Sequence, residues 1–374
     1  MSNEIIAVDY RFPPEINAEK QAKIIAIGQT AGTWDDRFAH RETQLRKHLA
    51  EVAEIKSDDR GYNIATVHFP VINVENDIAS LLTMIFGKYS MAGMGKIIGV
   101  HLPESYGTKA KFGITGMREQ LGAIDRPLIM AIFKPALGLS ATDHGNLFQQ
   151  VAEAGLDAIK DDEIMGDLAT APTLERLAAC RPVFDRIQEE RGRKIFYAVN
   201  VTGKATELVA KARLLVKNGA NALLLNVLTY GFSVLEDLVS DPEINVPIFA
   251  HPAFAGAICG APDTGIAYSV ILGTLMAYGG ADAVLYPAHY GNLPFDAEEE
   301  IKIRDILREN NVFPVPSAGI RAEIIPQILD DYGCDVILNS GTGIMEHPEG
   351  AAAGVKAFIE ACAAYKESKE IEKR

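Results

Sequence analysis

The sequence predicts a mixed α/β protein: a C-terminal (β/α)8 TIM barrel preceded by an N-terminal α+β domain of ferredoxin-like type. Three observations carry that reading. From about residue 126, short apolar and β-branched runs recur eight times, each ending in polar, Gly or Pro residues. Amphipathic helical patterns fill the gaps, and the first 125 residues lack this rhythm. Strands apolar along their whole length belong to a parallel sheet covered on both faces. Eight regular strand–helix units without a Gly-rich dinucleotide loop favour closure over a doubly wound open sheet.

The eight runs are LIMAIFKP (128–135), DAIKDDE (157–163), IFYAVNVT (195–202), ALLLNVL (222–228), PIFAHPA (247–253), AVLYPA (283–288), FPVPSAG (313–319) and VILNSG (336–341). Between them, ATELVAKARLLVKNG places Leu208, Ala212 and Leu215 on one helical face and stops at Gly219. SVILGTLMAYGG and AEIIPQILDDYG also close on glycine. In the first part, IIAVDYRF, EVAEI, IATVHFPV and KIIGVHLP read as strands, and EKQAKIIAIGQT and DIASLLTMIFGK as helices. That mixture suits a small antiparallel sheet with helices on it. The expected domains are residues 1–125 and 126–374, with no low-complexity linker between them. The tail YKESKEIEKR reads as a charged, solvated end.

The 374 residues are 48% hydrophobic and 23% charged, with 36 basic and 50 acidic side chains and a formal net charge of −14. That balance excludes a general nucleic-acid binder, so any anionic ligand must be gripped by a local cluster of donors. The four cysteines form no CxxC pair, which fits buried thiols in a reducing compartment and argues against a structural zinc site. MSNEIIAVDYRF is neither a secretory signal nor a transit peptide, and no apolar run approaches the ~18 residues of a membrane span. A cytoplasmic protein with no membrane partner is expected.

Barrels carry their chemistry at the C-terminal ends of the strands. Here those ends present Lys134, Lys160 with Asp162 and Glu163, Asn200, Asn226, His251, Ser317 with Gly319, and Gly341 with Thr342. The tetrapeptide KDDE makes an oxygen-rich site suited to Mg2+. Strand alternation turns Lys160 and Asp162 inward together and Asp161 away. An ammonium repels a metal, whereas a neutral amine that captures CO2 becomes an anionic carbamate ligand. A lysine–carboxylate ion pair capping the strand is the alternative. His251 either positions substrate or is a core histidine satisfied by a backbone carbonyl.

FKPALGLS, GLDAIKDDE, AHPA, VPSAGI and SGTGIMEHPEG, with TAGTWDD and FGITGMREQLGAIDRPL before them, resemble the RuBisCO superfamily in order and spacing from about residue 5 to 362. The resemblance implies a carbamylated Lys160 that binds Mg2+ with Asp162 and Glu163. It implies a homodimer, or a higher assembly, in which the small domain of one chain completes the barrel site of the other. Backbone amides around Gly319, Gly341 and Thr342, beside Ser317, would hold a phosphate with Thr33 from the second chain. Trp34, next to Thr33, either contacts substrate or anchors the dimer interface. Asn200 lies in YAVNVTGK, which is close to the RuBisCO-like enolases of methionine salvage.

The departures from the carboxylases point the same way. The loop after the sixth strand, YPAHYGNLPFDAEEE, lacks the lysine that holds incoming CO2 in them. Pro252 stands where they carry an arginine for a second phosphate, and Leu285 where they carry a histidine. One phosphate and no carbon fixation are implied. Lys88, ending LTMIFGKYS, matches the general base of the form IV RuBisCO-like proteins that enolise 2,3-diketo-5-methylthiopentyl-1-phosphate. On its residues alone it is equally a surface cation at a helix C-terminus. Lys134 would supply positive charge near the enolate oxygen. FKPALGLS lies nearer the carboxylases, so a decarboxylase of 3-oxo-isoapionate 4-phosphate type stands as one alternative. A non-catalytic binder of a phosphorylated metabolite is another.

Overall fold

The computed structural model of the chain describes residues 4–33 and 35–372. Strands β1 (Ile5–Phe12), β2 (Glu51–Ser57), β3 (Asn63–Pro70) and β4 (Lys96–His101) form an antiparallel sheet in the order β4-β1-β3-β2. Helices Ala18–Gly28 and Ile78–Phe86 complete the βαββαβ succession of a ferredoxin-like fold. Period-two burial puts Ile6, Val8, Tyr10 and Phe12 on the covered face of β1 and Ala65, Val67 and Phe69 on that of β3. The helices start where side chains replace missing acceptors: Asn17 accepts from the Lys20 amide and Asp77 from that of Ser80.

The remaining strands are β5 (Leu128–Ile132), β6 (Ala158–Lys160), β7 (Phe196–Asn200), β8 (Ala222–Leu225), β9 (Ile248–Ala250), β10 (Gly265–Ile266), β11 (Ala283–Pro287), β12 (Phe313–Ser317) and β13 (Ile337–Ser340). All except β10 join one parallel barrel-like sheet, ordered β12-β11-β9-β8-β7-β6-β5-β13. The eight runs read from the sequence are these eight strands. At the seam between β12 and β13, Asn339 Nδ2 donates to Ser317 Oγ at 2.8 Å.

Side-chain alternation decides what fills the barrel. Leu128 and Met130, Ala158, Phe196 and Ala198, Ala222 and Leu224, Phe249, Ala283 and Leu285, Phe313 and Val315, and Ile337 form one buried apolar cluster. Helix Gly113–Leu121 closes its lower end with Ile114, Met117 and Leu121. That helix begins where the amides of Phe112 and Gly113 both donate to Asp282 Oδ1, at 2.7 and 2.8 Å. Gly113 has φ +55°, and a Cβ there would lie 2.1 Å from the Asn311 carbonyl oxygen, so only glycine fits.

Three contacts lock the small sheet to the barrel. The two-residue strand β10 leaves the barrel and pairs in parallel with β4, Gly265 against Lys96 and Ile266 against Ile97. Lys96 Nζ donates to the carbonyls of Cys259 and Ala261. Glu236, on barrel helix Phe232–Ser240, accepts the Ile78 amide at 3.1 Å and so caps a small-domain helix.

The structure refines one expectation and corrects another. The described part of the tail is charged and largely exposed, as expected, but it is helical: it extends helix Ala351–Glu372, which buries Ala351, Gly354, Val355 and Phe358, and Tyr365 and Lys369 both reach Asp330. Cys334 is exposed and Cys362 half-buried, so only Cys180 and Cys259 are core thiols. Among the described residues, no helix is long and apolar enough to cross a membrane.

Candidate active site

The inward alternation that builds the apolar stack continues upward into polar residues. Two positions beyond Ala158 lies Lys160; beyond Ile132 lies Lys134; beyond Phe249 lies His251; beyond Val315, Ser317; and beyond Asn339, Gly341. They surround a cavity of about 400 Å³ that also takes in Ile132, Asp162, Glu163, Pro252, Leu285, Gly319 and Thr342. Nine residues named from the sequence therefore meet at one mouth: Lys134, Lys160, Asp162, Glu163, His251, Ser317, Gly319, Gly341 and Thr342.

Lys160 is 1% exposed, and its Nζ donates to the carbonyl of Asp161 at 2.9 Å rather than to a carboxylate. Burial lowers its pKa to about 8, against the pull of Glu163, Asp162 and Asp161. Part of the amine is thus neutral near neutral pH. Asp162 is paired instead with Lys134, Nζ to Oδ2 at 2.6 Å. Burial acts to raise the Asp162 pKa, but that hydrogen bond and the charges of Lys160 and Lys134 outweigh it, and the net direction is down.

His251 has a fixed tautomer. The Ala253 amide donates to Nδ1 at 3.1 Å, so the ring proton sits on Nε2, 3.6 Å from Glu163 Oε2. Burial, then the charge of Lys160, holds the ring well below the usual histidine pKa, so it is neutral. The core-histidine alternative does not hold as stated, because Nδ1 accepts a backbone N–H instead of the ring binding a carbonyl.

Beneath the mouth, Asp161 accepts from Arg176 Nη2, Tyr197 OH and the Asn200 amide at 2.7–2.9 Å. Asn200 itself corrects the sequence reading. Its side chain is fully buried and donates to the carbonyls of Asp162, Glu163 and Met165, not into the cavity. The segment after β6 folds over the barrel, and its carbonyls need donors that water cannot reach. Asn226 does the same for the Glu163 carbonyl at 2.9 Å.

Thr33 and Lys88 lie elsewhere. They line a cleft of about 890 Å³ on the small domain, with Lys20, Lys23, Ile24 and Ile27. Lys88 is exposed and follows the Gly87 that ends helix Ile78–Phe86. Trp34 lies outside the described residues. Sequence reasoning missed Asn292, Leu293 and Asn339, which line the barrel cavity. Inward alternation from Ile337 would have found Asn339; nothing local marks the other two.

Comparison with known proteins supplies the family. The model of the ribulose bisphosphate carboxylase large chain, catalytic domain, matches residues 113–310 and 301–374. A 2,3-diketo-5-methylthiopentyl-1-phosphate enolase from Microcystis aeruginosa is 72% identical over 96% of this chain and 93% of its own. A Bacillus licheniformis enolase of the same name is 38% identical over 100% and 95%. Among solved structures, a RuBisCO-like protein from Alicyclobacillus acidocaldarius superposes with a TM-score of 0.90 at 38% identity, covering 98% of this chain and 95% of that one. An octameric ribulose-1,5-bisphosphate carboxylase/oxygenase from Pyrococcus horikoshii gives 0.89 at 26% identity, over 98% and 89%. With its barrel, its lysine–carboxylate mouth and these relatives, the chain belongs to the ribulose bisphosphate carboxylase large-chain family.

Proposed function

We propose that this chain is a RuBisCO-like enolase acting on 2,3-diketo-5-methylthiopentyl-1-phosphate in methionine salvage. The observation that carries the reading is the mixed lining of the cavity. Lys134, Lys160, Asp162, Glu163 and the turns at Gly319 and Gly341 line it together with Pro252 and Leu285. Such a pocket offers one anion grip and one apolar end, matching a substrate with a single phosphate and a methylthio group. The relatives named as enolases along nearly the whole chain support it.

The donor set fits a hard divalent cation once Lys160 is carbamylated. Among the described residues, no three His, Cys, Asp or Glu side chains converge on a metal position. A carbamate supplies the third anionic oxygen donor beside Asp162 and Glu163. Mg2+ held by these three would act as a Lewis acid that stabilises negative charge on the substrate oxygens. The protein groups do the rest. Lys88 of the partner subunit removes the proton beside the carbonyl, and the C–H electron pair moves into the enolate. Lys134 offsets charge on the enolate oxygen, and neutral His251 offers the Nε2 proton as a hydrogen bond without adding charge. The turns at Gly319, Gly341 and Thr342, with Thr33 of the partner subunit, hold the phosphate. Lys88 and Thr33 line a different cleft from the barrel cavity of their own chain, so a dimer is part of the proposal.

The test is turnover in heavy water after incubation with Mg2+ and bicarbonate. Enol absorbance and deuterium at the exchanged carbon, both lost in Lys160→Ala, are expected. No exchange from protein that retains bound CO2 and Mg2+ would sink this substrate. Released CO2 from a β-keto acid phosphate would then make the protein a decarboxylase.

A further inference from the structure

Glu300 is a buried acid that the proposed chemistry does not use. It sits in the first turn of helix Ala297–Glu309 and is 1% exposed. Its carboxylate takes several donors at once. Oε2 accepts both the backbone amide and Nδ1 of His289, at 2.5 and 2.8 Å, and Oε1 accepts the Tyr332 hydroxyl at 2.6 Å. Tyr332 in turn receives the hydroxyl of Tyr286, which lies on β11. The chain of bonds thus runs from a barrel strand to the loop that follows it.

That loop is held at further points. The Ala288 amide donates to Ser317, the Gly291 amide to Ala288, and the Asn292 amide to Ala318. A Cβ on Gly291 would lie 2.0 Å from the Ala318 oxygen, and one on Gly319 2.7 Å from the Asn292 nitrogen. The loops after β11 and β12 therefore touch backbone to backbone. Tyr290 packs inward against the core, and Phe295 stacks edge-on with Tyr268 at 4.9 Å. Between those two inward anchors, Asn292 and Leu293 face the cavity, Asn292 beside the Gly319 turn and Leu293 among its apolar lining.

We propose that Glu300 is a positioning residue that holds residues 288–293 as a fixed wall of the cavity, making Asn292 and Leu293 specificity-determining residues for substrate. In this arrangement the Asn292 side-chain amide extends the anion grip at Gly319, while Leu293 joins Pro252 and Leu285 around the apolar end. An acid buried with three donors is costly to strip, so the wall stays in place without ligand. The identity of the substrate groups met by Asn292 and Leu293 rests on the enolase reading; the fixing of the wall does not.

The test uses the full-length protein and two readouts. The first is chymotrypsin cleavage after Tyr290 or Phe295 in the ligand-free protein. Wild type and Glu300→Gln, which keeps an acceptor for His289, should resist, and Glu300→Ala should be cut at least several-fold faster. The second is steady-state kinetics: Glu300→Ala should raise KM roughly tenfold, the scale of one lost hydrogen bond, with kcat within about twofold and near-complete rescue in Glu300→Gln. If Glu300→Ala does not fold, the double variant His289→Ala/Tyr332→Phe removes two of the three donors and should give the same pair of changes. Cleavage at the wild-type rate in the alanine or double variant would overturn the proposal, as would a fall in kcat with KM unchanged. If the enolase substrate is not turned over at all, the cleavage result still decides the wall, so the two failures are told apart.

Discussion

Lys134 Nζ lies 2.6 Å from Asp162 Oδ2, tying the end of the first barrel strand to the carboxylate beyond the second. The lysine is a third exposed and the aspartate nearly closed off, so the pair is shielded from solvent on one side only. Removing the cation frees Asp162 and, on the proposed mechanism, takes positive charge from beside the enolate. Lys134→Met should lower the Mg2+ dissociation constant in bicarbonate-treated protein while reducing kcat by roughly 10²–10³-fold, the usual cost of a lost electrostatic donor. Calorimetric Mg2+ titration beside turnover measures both, and weaker Mg2+ binding would count against the argument.

Asn226 and Asn200 hold the backbone that carries Asp162 and Glu163. Groups of this kind orient ligands without touching a metal, and their loss typically costs about 10–100-fold in affinity. Asn226→Ala should weaken Mg2+ binding on that scale and leave KM at saturating Mg2+ nearly unchanged. Asn200→Ala should do the same and also lower stability by about 1–3 kcal/mol, because the freed carbonyls are buried.

Lys88 and Thr33 share a small-domain cleft, and Lys160, Asp162 and Glu163 share the barrel mouth. In the proposed dimer, where each site draws on both chains, complementation is the expected behaviour. Lys88→Ala and Lys160→Ala proteins, each inactive, should recover about a quarter of wild-type activity after mixing and reassembly, because half the dimers are mixed and each holds one intact site. No recovery from confirmed mixed dimers would place both residues in the same chain's site.

Glu236 gives stability a pH dependence. Burial raises its pKa from 4.5 to about 7, while the Ile78 amide and the neighbouring Asp77 and Asp237 pull in opposite directions. The folded state therefore favours the protonated acid. Its contribution is complete below about pH 4.5 and is lost as pH climbs through 7, on the order of 2–3 kcal/mol in all. Glu236→Gln, neutral throughout, should match wild type near pH 4.5 and exceed it at pH 8 in urea unfolding. Equal pH slopes for the two proteins would exclude this origin.

Most of the mouth was legible because it obeys the same period-two rule as the core. Lys134, Lys160, His251 and Ser317 are each the next inward position above an apolar residue, and Gly341 is the next above Asn339, so naming the strands named these positions. Asn200 obeys the rule too, yet its amide is claimed by carbonyls of the segment that folds over β6, a demand invisible in a one-dimensional pattern. Asn292 and Leu293 follow no period at all. Their place is set by Glu300 and by close backbone approach at Gly291 and Gly319. The tail was legible as a solvated charged run, but its helix was not, because the buried stripe Ala351, Gly354, Val355 and Phe358 that anchors it lies ahead of that run.

The short strand β10 has a consequence for how copies of this molecule can meet. By lying along β4 it occupies one margin of the small sheet and leaves β2 as the other. Every residue of β2 except Val52 is exposed, the strand carries Glu51, Glu54 and Lys56, and its ladder is broken between Val52 and Glu54. A kinked, charged margin makes a poor template for an incoming strand. Neither flank of the sheet therefore invites runaway strand-to-strand polymerisation, which leaves self-association to the side-chain faces, where shape and charge can fix both stoichiometry and orientation.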